Sequence, residues 1–131
     1  MLNTYERYLD HPAGHVLKIE DAMDIYGRMV ESFGQCKLED KRELWDGLLE
    51  RAAEYTYIRN KWELMSREER IEADEGRTIK HNSFIRELDI IARAAELCNI
   101  DNSWRKDLGD DRKRIGDFAC FIAYITGISN R

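Results

Sequence analysis

Four polar residues recur on one face of a predicted helix over residues 81–98, and three of them are of types that bind anions. They are separated by three or four positions, so their side chains can touch along a helix. Two arginines of such a set can bind a phosphate or carboxylate in a bidentate manner, and an aspartate can orient them. A ladder of solvent-exposed ion pairs within the helix is the alternative explanation. The four residues are Asn82, Arg86, Asp89 and Arg93.

The opposite face of this predicted helix carries a seam of apolar residues. The seam consists of Phe84, Leu88, Ile91, Ala95 and Cys98. Aliphatic residues also border the polar face, with Ile85 on one side and Ile90 and Leu97 on the other. A freely solvated helix face would be polar across that width. We therefore expect the polar face to form a subunit interface or a pocket wall, covered by the final helix, which is apolar nearly all round.

Further cations and one aromatic residue lie towards the C-terminus of the chain. Arginine side chains there could bind phosphate, Trp104 could stack on a base, and His81 or Asn82 could read a base edge. We also expect residues 80–82 to open a helix, where free amides favour an anion. Asp89 and Asp117 would orient the arginines. The candidate ligand-binding residues are His81, Asn82, Arg86, Arg93, Trp104, Arg112 and Arg114.

The composition of the chain predicts an all-α fold. The 131 residues are 43% hydrophobic, and a single proline and eight glycines provide little material for the frequent turns of a β-sandwich. Three cysteines with no CxxC motif favour a reducing compartment. The apolar run at 118–125 is far shorter than the roughly 20 residues that cross a bilayer, so we expect no membrane association. We predict a single helical domain over residues 1–131, a compact bundle of about four to five helices.

Apolar periodicity and helix-end signals divide the chain into predicted helices. Ser66 and Glu69 have the spacing of a capping box, and Gly34, Gly76 and Gly127 mark expected ends or interruptions. An N-terminal segment, 2–8, is expected to form one or two helical turns. The other predicted segments are 17–33, 38–65, 67–75, a helix from 78, 104–108 and 110–125.

The net charge of −5 is distributed unevenly along the chain. Residues 1–75 contain 11 Lys and Arg against 18 Asp and Glu, whereas residues 76–131 contain 10 against 8. A duplex-DNA binder normally has a basic stripe and a high pI, while this chain has a pI of about 5.3. We therefore expect no duplex nucleic acid as a partner. The mildly basic C-terminal half is compatible with a small anionic ligand.

Metal and cofactor chemistry have little support in the sequence. His11 and His15 have ligand spacing, but Pro12 and Gly14 separate them and no third ligand is in place. We expect no metal, no cofactor and no catalytic residues. An acidic run invites comparison with all-α nucleotide pyrophosphohydrolases, although the second Glu-x-x-Asp of those enzymes is missing and a charged helix start explains the run more simply. The run consists of Glu68, Glu69, Glu72, Asp74 and Glu75.

Two segments of the C-terminal half carry a resemblance to a group of proteins. They are TIKHNSFI at 78–85 and LGDDRKRIGDFA at 108–119. These segments resemble small uncharacterised helical proteins of Firmicute phages and mobile genetic elements. The resemblance implies a non-enzymatic protein in the cytosol of a bacterial host, one that antagonises immunity by sequestering a nucleotide signal or by occupying a defence effector.

Three functions follow as hypotheses. The first is a homo-oligomeric protein that binds and sequesters a small anionic, nucleotide-like ligand, such as an immune signal. The second is an acidic protein-interaction inhibitor of a bacterial defence effector. The third is a magnesium-dependent nucleotide pyrophosphohydrolase acting through the acidic run.

Overall fold

The described part of the chain consists of helices joined by short connections. A computed structural model describes Tyr8 and residues 15–128, and within that part it contains five helices and no strand. The prediction of an all-α bundle of about four to five helices is confirmed. The predicted segment 2–8 lies outside the described residues except for Tyr8. The helices are α1 (Ile19–Gln35), α2 (Lys41–Trp62), α3 (Arg67–Leu97), α4 (Ser103–Leu108) and α5 (Arg112–Thr126).

Two of the predicted helix ends are formed by the residues expected to form them. The Ser66 hydroxyl accepts a hydrogen bond from the Glu69 amide at 3.2 Å, and the Glu69 carboxylate accepts one from the Ser66 amide at 2.9 Å. This capping box begins α3. Gly127 ends α5 in the left-handed conformation at φ 75°, which glycine adopts without steric cost.

Two predicted helix breaks are wrong. Gly34 lies inside α1, which continues to Gln35, and Gly76 lies inside the uninterrupted 31-residue α3. An interior glycine lowers the stability of a helix by only about 1 kcal/mol relative to alanine. In α3, burial of the second half of the helix offsets this loss. Residues 80–82 therefore lie in the middle of a helix, and their amides are not free to bind an anion as we expected.

Helices α2 and α3 form the main antiparallel pair of the bundle. The four residues 63–66 connect α2 to α3, so the two helices pack side by side in opposite directions. Helix α5 packs on α2 rather than over the polar face of α3. The expectation that α5 covers this face is therefore wrong, and Ile90 and Leu97 remain 38% and 73% exposed.

Buried side chains from all five helices form one continuous core. Helix α5 contributes most of its length to that core, including Phe118, Phe121 and Ile122. Within the part of the chain that the structure describes, no helix combines the length and the apolar character needed to cross a bilayer.

Candidate functional site

A pocket of about 430 Å³ lies where α2, α3 and the start of α5 meet. Helix α2 contributes Tyr55, Arg59 and Trp62, which follow one another at spacings of four and three residues and so share one helix face. Helix α3 contributes a second such face. The remaining lining residues are Glu63, Asp74, Arg77, Thr78, His81, Arg112 and Lys113.

Buried Arg59 forms the floor of the pocket and is paired with Asp117 beneath it. Arg59 donates a hydrogen bond to Asp117 Oδ1 at 2.5 Å, and both side chains are almost fully buried. The other oxygen of this carboxylate accepts hydrogen bonds from the amides of Val16 and Leu17 at 2.6 and 3.0 Å. Asp117 therefore joins α5, α2 and the segment that leads into α1. This network holds the Arg59 guanidinium in one position at the base of the pocket.

His81 lies on the α3 side of the pocket and is buried. Its Nε2 is 3.1 Å from the carbonyl oxygen of Arg112. A carbonyl only accepts hydrogen bonds, so Nε2 must carry the proton and Nδ1 is left as an acceptor. Nδ1 is buried and makes no hydrogen bond of normal geometry with the described residues, although Asn82 lies beside the ring. Burial lowers the pKa of His81, which favours the neutral imidazole.

The Tyr55 hydroxyl packs directly against Gly116 of α5. The ring of Tyr55 meets the His81 imidazole edge to face, with centroids 5.4 Å apart. A Cβ atom at Gly116 would lie 2.6 Å from the Tyr55 hydroxyl, so only glycine permits this approach of α2 and α5. Burial raises the pKa of Tyr55 and keeps the phenol protonated at neutral pH.

Trp62 contacts two arginines, of which Arg77 also lines the pocket. The guanidinium of Arg77 lies over the indole, 4.5 Å from the ring centroid, and that of Arg70 lies 5.9 Å away. Arg70 also donates a hydrogen bond to the Trp62 carbonyl at 2.9 Å. Cation–π contacts of this kind hold arginine side chains close to an aromatic surface.

Cations outnumber carboxylates around the pocket. Arg59, Arg77, Arg112 and Lys113 face Glu63 and Asp74, and His81 adds no charge while it is neutral. The wall thus combines guanidinium donors with aromatic surface, and His81 Nδ1 is buried behind it. This chemistry suits a small anion that also carries a ring.

Only part of the predicted ligand-binding set lies at this pocket. His81 and Arg112 line it, Asn82 is exposed beside His81, and Asp117 lies beneath the floor. Asp117 orients an arginine as expected, but that arginine is Arg59. Arg86, Asp89 and Arg93 line a separate groove on the outer face of α3.

The ion-pair ladder that we considered for α3 is not formed. Asp89 pairs with Arg105 of α4 at 2.7 Å, and Arg93 pairs with Glu96 at 3.1 Å. Arg105 also binds Asp110 at 2.9 Å. Asp89 therefore pairs with an arginine of another helix rather than with an arginine of α3.

Two further candidates have structural roles. Trp104 is 1% exposed, so its indole is not available to stack on a base, and that prediction is wrong. Arg114 donates hydrogen bonds to the carbonyls of Leu108 and Asp107 at 2.9 and 3.1 Å. It thereby satisfies carbonyl groups at the end of α4 and turns away from the pocket.

Sequence reasoning missed most residues of the pocket, among them Tyr55, Arg59, Trp62 and Arg77. A usable signal was present in α2, because Arg59 lies on the same stripe as the buried Leu48, Ala52 and Tyr55. An arginine on a core stripe must be paired or must line a cavity. Arg77 carries no comparable signal, because its neighbours in sequence are polar.

Comparisons with known proteins identify no relative of this chain. No family model matches it, and neither the curated proteins nor the solved structures contain a significant match. The resemblance to phage and mobile-element proteins therefore stays a prediction. Among the described residues, no cluster of three or more His, Cys, Asp or Glu side chains has the arrangement needed to hold a metal ion.

Proposed function

We propose that this protein is a non-enzymatic binder of a small anionic, nucleotide-like ligand, held in the pocket between α2, α3 and the start of α5. The observation that carries the proposal is the convergence of four cationic side chains on one cavity beside buried Tyr55 and His81. The volume of about 430 Å³ falls within the range typical of small-molecule sites.

Each part of the pocket has a role in this proposal. Arg77 and Arg112 bind the phosphate, because guanidinium groups match its oxygens in a bidentate manner. The neutral ring of His81 packs edge to face on Tyr55 and lines the pocket without adding a charge. Half-buried Trp62 provides the aromatic surface for the ring of the ligand, and buried Tyr55 supports the pocket from behind. Arg59 stays on Asp117 and contributes a fixed positive charge from below.

Isothermal titration calorimetry of the purified protein tests the proposal. The panel contains linear mononucleotides, cyclic mononucleotides and dinucleotides, with inorganic phosphate and pyrophosphate as fragments. We expect binding of at least one nucleotide and weakening of about 10- to 100-fold in Arg112→Ala, because a charge-assisted hydrogen bond contributes about 1.5–3 kcal/mol. No heat from any nucleotide or phosphate contradicts the proposal.

Arg86→Ala provides a matched control. Arg86 is an exposed arginine of α3 outside the pocket, and its removal should leave the affinity unchanged. An equal loss in Arg86→Ala and Arg112→Ala would mean that the ligand is attracted by overall charge rather than by this pocket.

A protein that sequesters its ligand must release that ligand chemically intact. We expect chromatography of a nucleotide incubated with protein and Mg²⁺ to recover the nucleotide intact in stoichiometric amounts. Turnover of the nucleotide would favour the pyrophosphohydrolase hypothesis instead. In that case Glu72→Gln and Glu69→Gln identify whether the acidic run is responsible, although the Glu69 carboxylate already caps α3.

An exposed apolar tip supports a second candidate function, docking of an effector protein. Leu64 and Ile71, near the α2–α3 connection, are 87% and 67% exposed, and the exposed Glu68 and Glu72 lie close by in sequence. An acidic, partly apolar tip of this kind suits a basic protein surface. Complex formation with a purified effector should weaken with rising ionic strength and with Leu64→Asp.

A further inference from the structure

The outer face of α3 carries an exposed stripe with the spacing of a coiled-coil seam. Ile79, Ile90 and Leu97 are exposed and separated by 11 and seven residues, with Arg86 and Arg93 at the seam positions between them. Beside this stripe, Leu38 and Leu44 complete a groove of about 670 Å³. Six of its ten lining residues are apolar, and apolar grooves of this kind accept an amphipathic helix.

Two opposite charges in this groove have no ion-pair partner among the described residues. Arg86 is exposed between aliphatic neighbours and forms no salt bridge, while Asp89 and Arg93 are paired elsewhere. Asp40 precedes α2, and its carboxylate neither caps that helix nor forms a salt bridge. A cation and an anion left unpaired on the same apolar surface make that surface complementary to itself.

We infer that the α3 groove is the interface of a homodimer, in which α3 of a second copy packs antiparallel across a two-fold axis near Ile90. The axis brings residue 86 of one copy opposite residue 94 of the other. Ala94 and Asp40 both line the groove, and the antiparallel packing of α2 on α3 places the start of α2 towards the C-terminal half of α3. Arg86 therefore meets the partner's Asp40, and symmetry repeats this pair. A parallel arrangement would instead place Arg86 against Arg86, which is unfavourable.

Sedimentation equilibrium of the full chain tests the inference. At about 100 µM, a concentration that populates micromolar complexes, we expect twice the 15.5 kDa mass of the chain. Ile90→Asp should give a monomer of unchanged helicity, because it places a charge at the centre of the interface and disturbs no buried contact within the chain. Ile71→Asp, on the same helix outside the groove, should remain dimeric.

Charge reversal tests the pairing itself. Arg86→Asp and Asp40→Arg should each weaken the dimer about tenfold, and the double variant should restore it, because the pair is then present in reverse. A monomeric wild-type chain, dissociation by Ile71→Asp or failure of the double variant to recover would each overturn the inference. The ligand pocket lies elsewhere on the molecule, so ligand binding and dimer formation can fail independently.

Discussion

A single buried carboxylate, that of Asp117, joins three separate parts of the chain. It pairs with Arg59 of α2 and accepts the amides of Val16 and Leu17, so its two oxygens hold both the pocket floor and the entry to α1. A buried ion pair adds little net stability by itself, but removing one partner leaves an uncompensated charge in the interior. Asp117 is therefore a positioning residue, not a ligand contact.

Replacement of Asp117 by asparagine should lower the free energy of unfolding by about 3–5 kcal/mol, because the Arg59 guanidinium stays buried without its counter-charge. Urea denaturation followed by circular dichroism measures this loss. Asp89→Asn is the matched control, since the pair of Asp89 with Arg105 is partly exposed and should contribute no more than about 1 kcal/mol. Similar effects of the two substitutions would contradict the role of the buried pair.

His81 should make stability depend on pH. Burial lowers its pKa in the folded chain below the unfolded value of about 6.5, so the folded state binds fewer protons. The stabilisation is present above pH about 6.5 and is lost as the pH falls below that value. In urea titrations the wild type should lose more stability than His81→Gln between pH about 7.5 and about 5. Parallel profiles would contradict this.

At the scale of elements, the pocket depends on how closely α5 approaches α2. Gly116 permits that approach because Tyr55 occupies the space where a Cβ would be. Gly76, in contrast, lies in the exposed part of α3 with no atom within 4 Å of the corresponding position. Both glycines lie inside helices, but an added methyl group would clash with Tyr55 at Gly116 and would meet no atom at Gly76.

Alanine at the two positions should have opposite effects. Gly116→Ala should lower the free energy of unfolding by about 1–3 kcal/mol through overpacking and should weaken nucleotide binding, because Tyr55 must move. Gly76→Ala should raise it by about 0.5–1 kcal/mol, since alanine loses less backbone entropy in a helix. Chemical denaturation of both variants measures the two changes. A destabilised Gly76→Ala would indicate that α3 is interrupted in solution.

At the scale of the whole molecule, side chains of all five helices share one core. The chain of 131 residues lies in the size range in which single domains usually unfold in one step. Helix α1 has no core of its own, because Ile25, Met29 and Phe33 are buried against the rest of the bundle.

We therefore expect a single cooperative transition. Far-ultraviolet circular dichroism, which reports helix content, and tryptophan fluorescence, which reports the surroundings of Trp45, Trp62 and Trp104, should give the same urea midpoint. Separate midpoints for the two signals would show that part of the bundle unfolds independently, and would contradict the prediction of a single helical domain.

The sequence by itself determined the helical class and most helix ends, because these depend on residues within one or two turns of each other. The capping box at Ser66 and the left-handed Gly127 are local features of this kind. Gly34 and Gly76 were misleading, because packing of the flanking turns outweighs the small local cost of glycine.

Only the tertiary structure decided which charged residues meet. Asp89 could pair with Arg86 or Arg93 along its own helix, but it binds Arg105, which folding brings alongside. The pocket likewise unites Arg59 with residues more than 50 positions later, such as Arg112. Exposed ion pairs are nearly equal in energy, so sequence spacing cannot select among them. Burial and helix packing make that choice, and packing is a property of the whole chain.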